Sequence, residues 1–255
     1  MTEYGIQMYS LRDITEDDLR GSLKRAADMG YKYIEFAGFF GNSAEDVRAW
    51  LDEYGLVPIG THTGIDQLTE DNIESTIAYH KALGCTNIII PAADWSSEEK
   101  MERNLSVIRT ASARLAKEGI ALGYHNHSSE FYKTPYGRYV EEEIIEKTDA
   151  FLEIDTFWVF NVGISPVRYL EAHKDRIKLI HLKDGYIERL RALEFSCAHD
   201  GAVGTSVGEG EVPILAIREW AVNNGVPMVI ESEGLDPTGP DEVKRCIDFL
   251  RTLDA

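Results

Sequence analysis

Residues 151–184 read FLEIDTFWVFNVGISPVRYLEAHKDRIKLIHLKD, and this stretch decides the fold. A short apolar run, AFLEID with its leading alanine, stops at Asp155. A helix-length segment follows, with a short helix expected from Pro166 to His173. A second apolar run, IKLIHLKD, then carries His181, Lys183 and Asp184. Strand, helix, strand in this order is a βαβ unit with parallel strands. The polar residues sit where each strand runs out.

The same unit repeats outward in both directions. Towards the N-terminus, strands are expected in YGIQMY, at Tyr33–Ala37, in LVPIGTH ending at His62, in CTNIIIPA and in IALGYHN. Helices are expected at Glu16–Met29, in AEDVRAWLDEYG after an N-cap at Ser43, and at Glu70–Leu83, Glu98–Glu118 and Tyr139–Lys147. Gly55, Gly84 and Gly119 stop three of them. Towards the C-terminus, Gly185 to Gly210 reads as one large loop. A helix in VPILAIREWAVNNG, a strand in VPMVIESE and a closing helix in PDEVKRCIDFLRTL follow.

Eight strands alternating with eight helices predict an α/β fold, a closed (β/α)8 TIM barrel, as one domain over residues 1–255. A doubly wound open sheet is the main competitor. Against it, no GxGxxG follows the first strand, and no GxxxxGK with a following Ser or Thr occurs anywhere. GEG at Gly208–Gly210 is too short for a phosphate motif and reads as flexible loop backbone.

Composition narrows the partners. Lys and Arg total 26 against 44 Asp and Glu, a formal charge of −18. Such a field repels nucleic-acid phosphates, so no nucleic-acid partner is expected. The N-terminus, MTEYGIQMYSLRD, lacks a cationic region followed by an apolar core, so no signal peptide is expected. No apolar run approaches the roughly 20 residues that span a bilayer, so no membrane partner is expected and the expected compartment is the cytoplasm. Cys85, Cys197 and Cys246 are widely spaced and read as reduced thiols, with Cys85 a core filler.

In a parallel barrel the C-terminal ends of all strands converge on one mouth. Asp155, His181 and Glu231 then present oxygen, nitrogen and oxygen donors to one ion. That set suits a divalent metal, Mn²⁺ first and Mg²⁺, Co²⁺ or Zn²⁺ as alternatives. The bland readings are a turn cap for Asp155, a satisfied internal His181 and a mouth salt bridge for Glu231. The fifth strand offers Glu130, His127 and Asn126, with Glu130 expected as the fourth ligand. His125 and His127 share a face if the strand continues, and both are expected to touch substrate. Glu35 ends the second strand and is expected at a substrate hydroxyl or in a structural pair. His62 is expected in substrate binding or proton transfer. Lys183 is expected to polarise an oxygen or to pair with Asp184. Arg12 reaches the mouth or faces solvent, and Trp95 and Trp158 stack on a sugar or pack the mouth.

The segments MYSLRD, IEFAG, LGYHNHSSEF, EIDTFW, LIHLKD and IESE together span nearly the entire chain. In order and placement they resemble the sugar phosphate isomerase/epimerase-like proteins of the xylose-isomerase-like barrel superfamily. The resemblance implies a divalent-metal barrel acting on sugars, keto-sugars or inositol derivatives. In ketose 3-epimerases of the superfamily, strands five to eight supply Glu, Asp, His and Glu. Asp155, His181 and Glu231 match the last three. The first falls near Gly123 here, and Glu130 is expected to replace it from farther along the loop. Relatives often carry a histidine three residues after the aspartate, where this chain has Trp158.

The function expected on this basis is divalent-metal-dependent isomerisation or epimerisation of a small ketose-like sugar through an enediolate. Glu231 and Glu130 are expected as the proton-transferring carboxylates, with His62 and Lys183 assisting. Two alternatives stay open: an inosose or keto-sugar dehydratase on the same metal site, and a catalytically inactive sugar-binding barrel. The expected partner is a small carbohydrate or inositol-derived substrate, and the oligomeric state stays open.

Overall fold

The computed structural model describes residues 2–188 and 194–254. In chain order the strands are β1 (Gly5–Gln7), β2 (Tyr33–Phe36), β3 (Val57–His62), β4 (Asn87–Ile90), β5 (Ala121–His125), β6 (Phe151–Asp155), β7 (Ile177–Leu182), β8 (Asp184–Ile187), β9 (Ala202–Thr205) and β10 (Met228–Ile230). The helices are α1 (Arg12–Thr15), α2 (Leu19–Met29), α3 (Ala44–Tyr54), α4 (Ile73–Leu83), α5 (Glu98–Ala116), α6 (Val140–Lys147), α7 (Thr156–Asn161), α8 (Pro166–His173), α9 (Ile214–Asn224) and α10 (Gly239–Thr252). Eight strands close into a barrel in the order β1, β10, β7, β6, β5, β4, β3, β2. β1 closes the ring, pairing in parallel with both β10 and β2. The expected (β/α)8 barrel is therefore the observed fold, and the open sheet is excluded.

The strands read as continuous apolar runs because both faces are buried. In β4, Ile88 and Ile90 pack outward into the main core beneath the helices. Ile89 points inward, where it meets Phe151 and Leu179 in a separate cluster that fills the barrel. The helices begin where short polar side chains cap them. Ser43, Ser97 and Thr238 accept from the backbone N–H three residues on, satisfying one otherwise orphaned donor each. Asp18 does the same for α2, so that helix starts at Leu19 rather than Glu16.

Three features depart from the expected layout. Met8–Leu11 is a 3-10 turn rather than strand, because the Gln7 side chain accepts from the Tyr9 N–H and turns the chain. Thr156–Asn161 is a helix that no apolar period announced; Asp155 caps it by accepting from the N–H groups of Phe157 and Trp158. The expected 185–210 loop contains an antiparallel hairpin, β8 with β9. Residues 189–193 of that segment lie outside the described residues. Asp184 fixes the hairpin's base by accepting from the N–H groups of Gly185, Gly208, Gly210 and Val212. Gly210 is required there, since a Cβ would lie 2.2 Å from the Asp184 Oδ1. Cys85 and Cys246 are buried thiols, and Cys197 is partly exposed.

One buried carboxylate in the outer shell makes the stability pH-dependent. Glu141 on α6 accepts from the Tyr169 hydroxyl at 2.7 Å, and its Oε2 is buried without a partner. Burial pushes this group up to about 7, against the pull of the Tyr169 bond. The folded chain thus holds a proton that the unfolded chain releases near 4.5. The stability it contributes is full below that pH and falls as pH rises through about 7. Glu141→Gln removes the loss, worth up to about 3 kcal/mol. Its Tm should match wild type near pH 5 and exceed it by several degrees at pH 8.

Candidate metal centre at the barrel mouth

The barrel interior is layered. At the bottom, Ile89, Phe151 and Leu179 form the apolar plug, with Ile59 and Ala121 against it. Gly123 belongs to this level. A Cβ there would lie 2.4 Å from the Phe151 ring, so the space a glutamate would need is filled by an aromatic. The polar donor of β5 comes one repeat later, at His125, which is paired across the strands with Glu153.

Above the plug lies a sealed polar layer of Glu35, Glu153 and His181, none of them measurably exposed. Glu35 Oε2 accepts from Gln7 at 2.8 Å and lies 2.5 Å from His181 Nε2. Glu153 Oε2 lies 2.8 Å from His62 Nε2, 3.3 Å from His181 Nε2 and 3.2 Å from His125 Nδ1. Two carboxylates this close cannot both ionise freely. Burial pushes Glu35 up, but His181 and His62 outweigh it and hold the group below its ordinary value. Burial and the charge of Glu35 push Glu153 up. Burial pulls His181 and His62 down, but the two carboxylates outweigh it and raise both. Gly60 makes the layer possible, since a Cβ there would lie 2.6 Å from Glu35 Oε1.

The third layer faces the mouth. His125, Asp155, His181 and Glu231 each offer one donor atom, all within 4.8 Å of one another. They come from β5, β6, β7 and the residue after β10, neighbouring positions around the ring. His181 is shared between layers: Nε2 faces Glu35, while Nδ1 lies 3.2 Å from Glu231 Oε2. Asp155 is aimed by its capping bonds. Oδ1 holds the start of α7, and Oδ2 is left buried with no hydrogen-bond partner. Asn126 clamps the backbone at this point, accepting from Asp155 N and donating to Asp155 O. Burial holds the His125 ring well below its ordinary value, and His181, His127 and Lys183 push it the same way, so it is neutral. Two imidazoles and two carboxylates, one of which keeps an oxygen that no hydrogen bond occupies, fit a divalent ion. His125 and His181 also form a second, deeper group with His62 and Glu153.

A cavity of about 450 Å³ opens over this layer, lined among others by Tyr9, His62, His125, His127, Glu231 and Glu233. Lys183 lies behind its wall, 1% exposed, with Nζ 2.8 Å from Glu233, 3.4 Å from Glu231 and 3.8 Å from Asp155. The ammonium also stands 4.6 Å over the Trp158 ring. Arg12 ties the first loop to the last, donating to the Glu233 carbonyl at 2.7 Å.

Sequence position alone misplaces several of the expected site residues. Glu130 is not brought to the cluster. It sits in a 3-10 turn (Ser129–Phe131) where Tyr124 OH, His127 N–H and Ser129 OH all donate to its carboxylate. Glu35 lies in the sealed layer, with no exposed surface. Lys183 pairs with Glu233 and Glu231; Asp184 points away to the glycine loop. Trp158 is covered by the His199 ring, 4.6 Å away and stacked, and Trp95 is buried, donating to the Tyr124 hydroxyl. Glu153 was missed. Its place two residues before Asp155 puts both on the inward face of β6, which is the signal that finds it. His62, His125 and His127 do line the cavity.

The sequence matches the family model described as "Xylose isomerase-like TIM barrel" over residues 23–253. The chain belongs to the xylose-isomerase-like TIM-barrel family. A crystal structure of a family-like barrel, the sugar phosphate isomerase/epimerase from Parabacteroides distasonis, is similar at TM-score 0.79 and 26% identity over 98% of each chain. Among curated proteins, the inosose dehydratase of Geobacillus kaustophilus is 27% identical over 83% of this chain and 79% of its own length. The 2-oxo-tetronate isomerase of Haemophilus influenzae is 25% identical over 54% of this chain. The match spans 63% of that isomerase. Among the described residues no helix is long and apolar enough to cross a membrane.

Proposed function

We propose that this protein is a divalent-metal-dependent isomerase of a small, uncharged keto-sugar. The observation that carries the reading is the His125, Asp155, His181 and Glu231 set, of which His125 and Glu231 line the cavity while Asp155 and His181 lie buried beside them. A bound ion would supply Lewis acidity at a substrate carbonyl, favouring loss of the neighbouring C–H proton. Glu231 lines the cavity, takes that proton and returns it to the former carbonyl carbon. His62, held towards its charged form by Glu153 and Glu35, donates to the oxygen on which negative charge develops. The hydroxyl on the deprotonated carbon gives its proton back to His62 as the new carbonyl forms. His127 is pulled down to about 3 by burial and by Lys183 and His199, so its neutral ring hydrogen-bonds a hydroxyl. Lys183 is a positioning residue that holds Glu231 and Glu233 against the cavity. Glu130 positions the His127 backbone.

Mn²⁺ is the leading ion. The cavity lining, among the described residues, includes neither lysine nor arginine, which supports an unphosphorylated substrate.

The second reading is dehydration of an inosose or keto-sugar at the same centre. Glu130 is held outside the cavity by three hydrogen bonds, so it does not serve as the second base of an epimerisation, which keeps elimination open. The similarity to an inosose dehydratase over most of the chain points the same way.

Incubation of Mn²⁺-supplemented protein with ketoses and inososes in deuterated water separates these readings. Isomerisation puts deuterium at the reacting carbon with no other change in mass, and dehydration loses water. No turnover of any of them, with or without metal, sinks both. Within this scheme His62→Gln should lower kcat by about 10²-fold or more, the range for loss of a general acid. Metal affinity, read by calorimetry, should stay near wild type.

A further inference from the structure

A second cavity, about 360 Å³, adjoins the first and shares His62 and Gly64 with it. It lies between the loop after β2 and the N-terminal half of α4. Each cavity by itself falls within the range of about 300–1,000 Å³ typical of small-ligand sites, so each has room for a ring of its own.

The annex walls suit a polyol ring. Phe39 and Tyr79 form an aromatic side, their centroids 4.4 Å apart and tilted by 40°. Thr63, Gln67 and Ser75 supply polar groups on the other sides. The hydrogen-bond direction at Thr63 is fixed from beneath. His80 Nδ1 lies 2.7 Å from the Thr76 carbonyl and must donate to it. Burial pushes the His80 ring below its ordinary value, so it is neutral and Nε2 is an acceptor. Thr61 Oγ1, 2.7 Å away, therefore donates to Nε2. Thr63 Oγ1 then spends its proton within the chain, on Thr61 Oγ1 at 3.1 Å or on the Thr61 carbonyl at 3.5 Å. Its lone pairs remain to accept from a ligand hydroxyl.

We infer that the substrate is not a lone monosaccharide: a second, uncharged sugar ring, joined to the reacting ring, occupies the annex beside His62. The inference rests on the keto-sugar reading above. His62 stands at the junction, so the linkage passes over it while the reacting carbonyl faces Glu231.

Calorimetric titration of the Mn²⁺-loaded protein with D-fructose, turanose, palatinose and lactulose tests this. At least one disaccharide should bind about tenfold tighter than fructose. Ser75→Trp, which fills the annex from an exposed position on α4, should abolish that gain and leave fructose affinity within about twofold of wild type. Gln67→Trp fills it from the other side and serves if Ser75→Trp folds poorly. Thr63→Val should lose part of the gain. Equal affinity for all four sugars, or a gain that survives both tryptophans, overturns the annex while leaving the keto-sugar reading standing. Failure of fructose and all three disaccharides to bind overturns both.

Discussion

Glu231→Gln should weaken divalent-ion binding by at least about 100-fold, more than the loss of an outer partner costs, and lower turnover by about 10²–10⁴-fold. The carboxylate stands 3.2 Å from His181 Nδ1 and 3.4 Å from Lys183 Nζ, and 5% of the residue is exposed, at the cavity wall. The amide keeps the shape and removes the charge, so the ion and the proton lose the same oxygen. Glu130→Gln is the contrasting variant. Its carboxylate accepts three hydrogen bonds outside the cluster. An amide nitrogen in that place faces donors, so Tm should fall while ion affinity stays near wild type. Equal ion affinity in wild type and Glu231→Gln would remove Glu231 from the ligand set, and a loss of affinity in Glu130→Gln would return that loop residue to it.

Lys183→Met should produce the largest change in stability. The lysine is fully buried and lies within 4 Å of Asp155, Glu231 and Glu233. Burial pulls the ammonium down, but Glu231, Asp155 and Glu233 outweigh that and raise it. Methionine fills a similar space and leaves Asp155, Glu231 and Glu233 facing one another without the ammonium among them, with His181 beside Glu231 alone. Removing one partner of a buried ionic group costs about 3–5 kcal/mol, roughly 10 °C or more in Tm for a domain of this size. A divalent ion beside Asp155 and Glu231 replaces the missing charge. Mn²⁺ should therefore raise the Tm of Lys183→Met by more than it raises that of wild type. An identical rise in both would mean that the ion does not sit among these carboxylates.

The barrel was legible because its signals are local. Apolar runs of strand length, glycines at helix ends and Ser or Thr caps recur along the whole chain. Asp155, His181 and Glu231 were legible because each terminates such a run, and a parallel barrel places all strand ends at one mouth. What was not legible depends on depth. Sequence position does not distinguish a carboxylate at the mouth from one a layer below, so Glu35 looked like a substrate contact and Glu153 was passed over. Depth also explains β5. The Phe151 ring fills the level of Gly123, and the imidazole of His125 takes the donor position one repeat higher. Glu130 misled because a 3-10 turn after β5 folds its carboxylate back onto Tyr124. Lys183 and Asp184 are adjacent in sequence, yet alternation along the chain sends one to the metal layer and the other to the glycine loop.

The proposed centre is one divalent ion held by His125, Asp155, His181 and Glu231. Anomalous diffraction from crystals grown with Mn²⁺, collected at the manganese edge, tests it most directly. The predicted result is a single strong peak within bonding distance of all four side chains, with His181 Nδ1 towards the ion and Nε2 towards Glu35. A peak in the deeper group of His62 and Glu153, a peak at Glu130, or no peak at millimolar Mn²⁺ would contradict it.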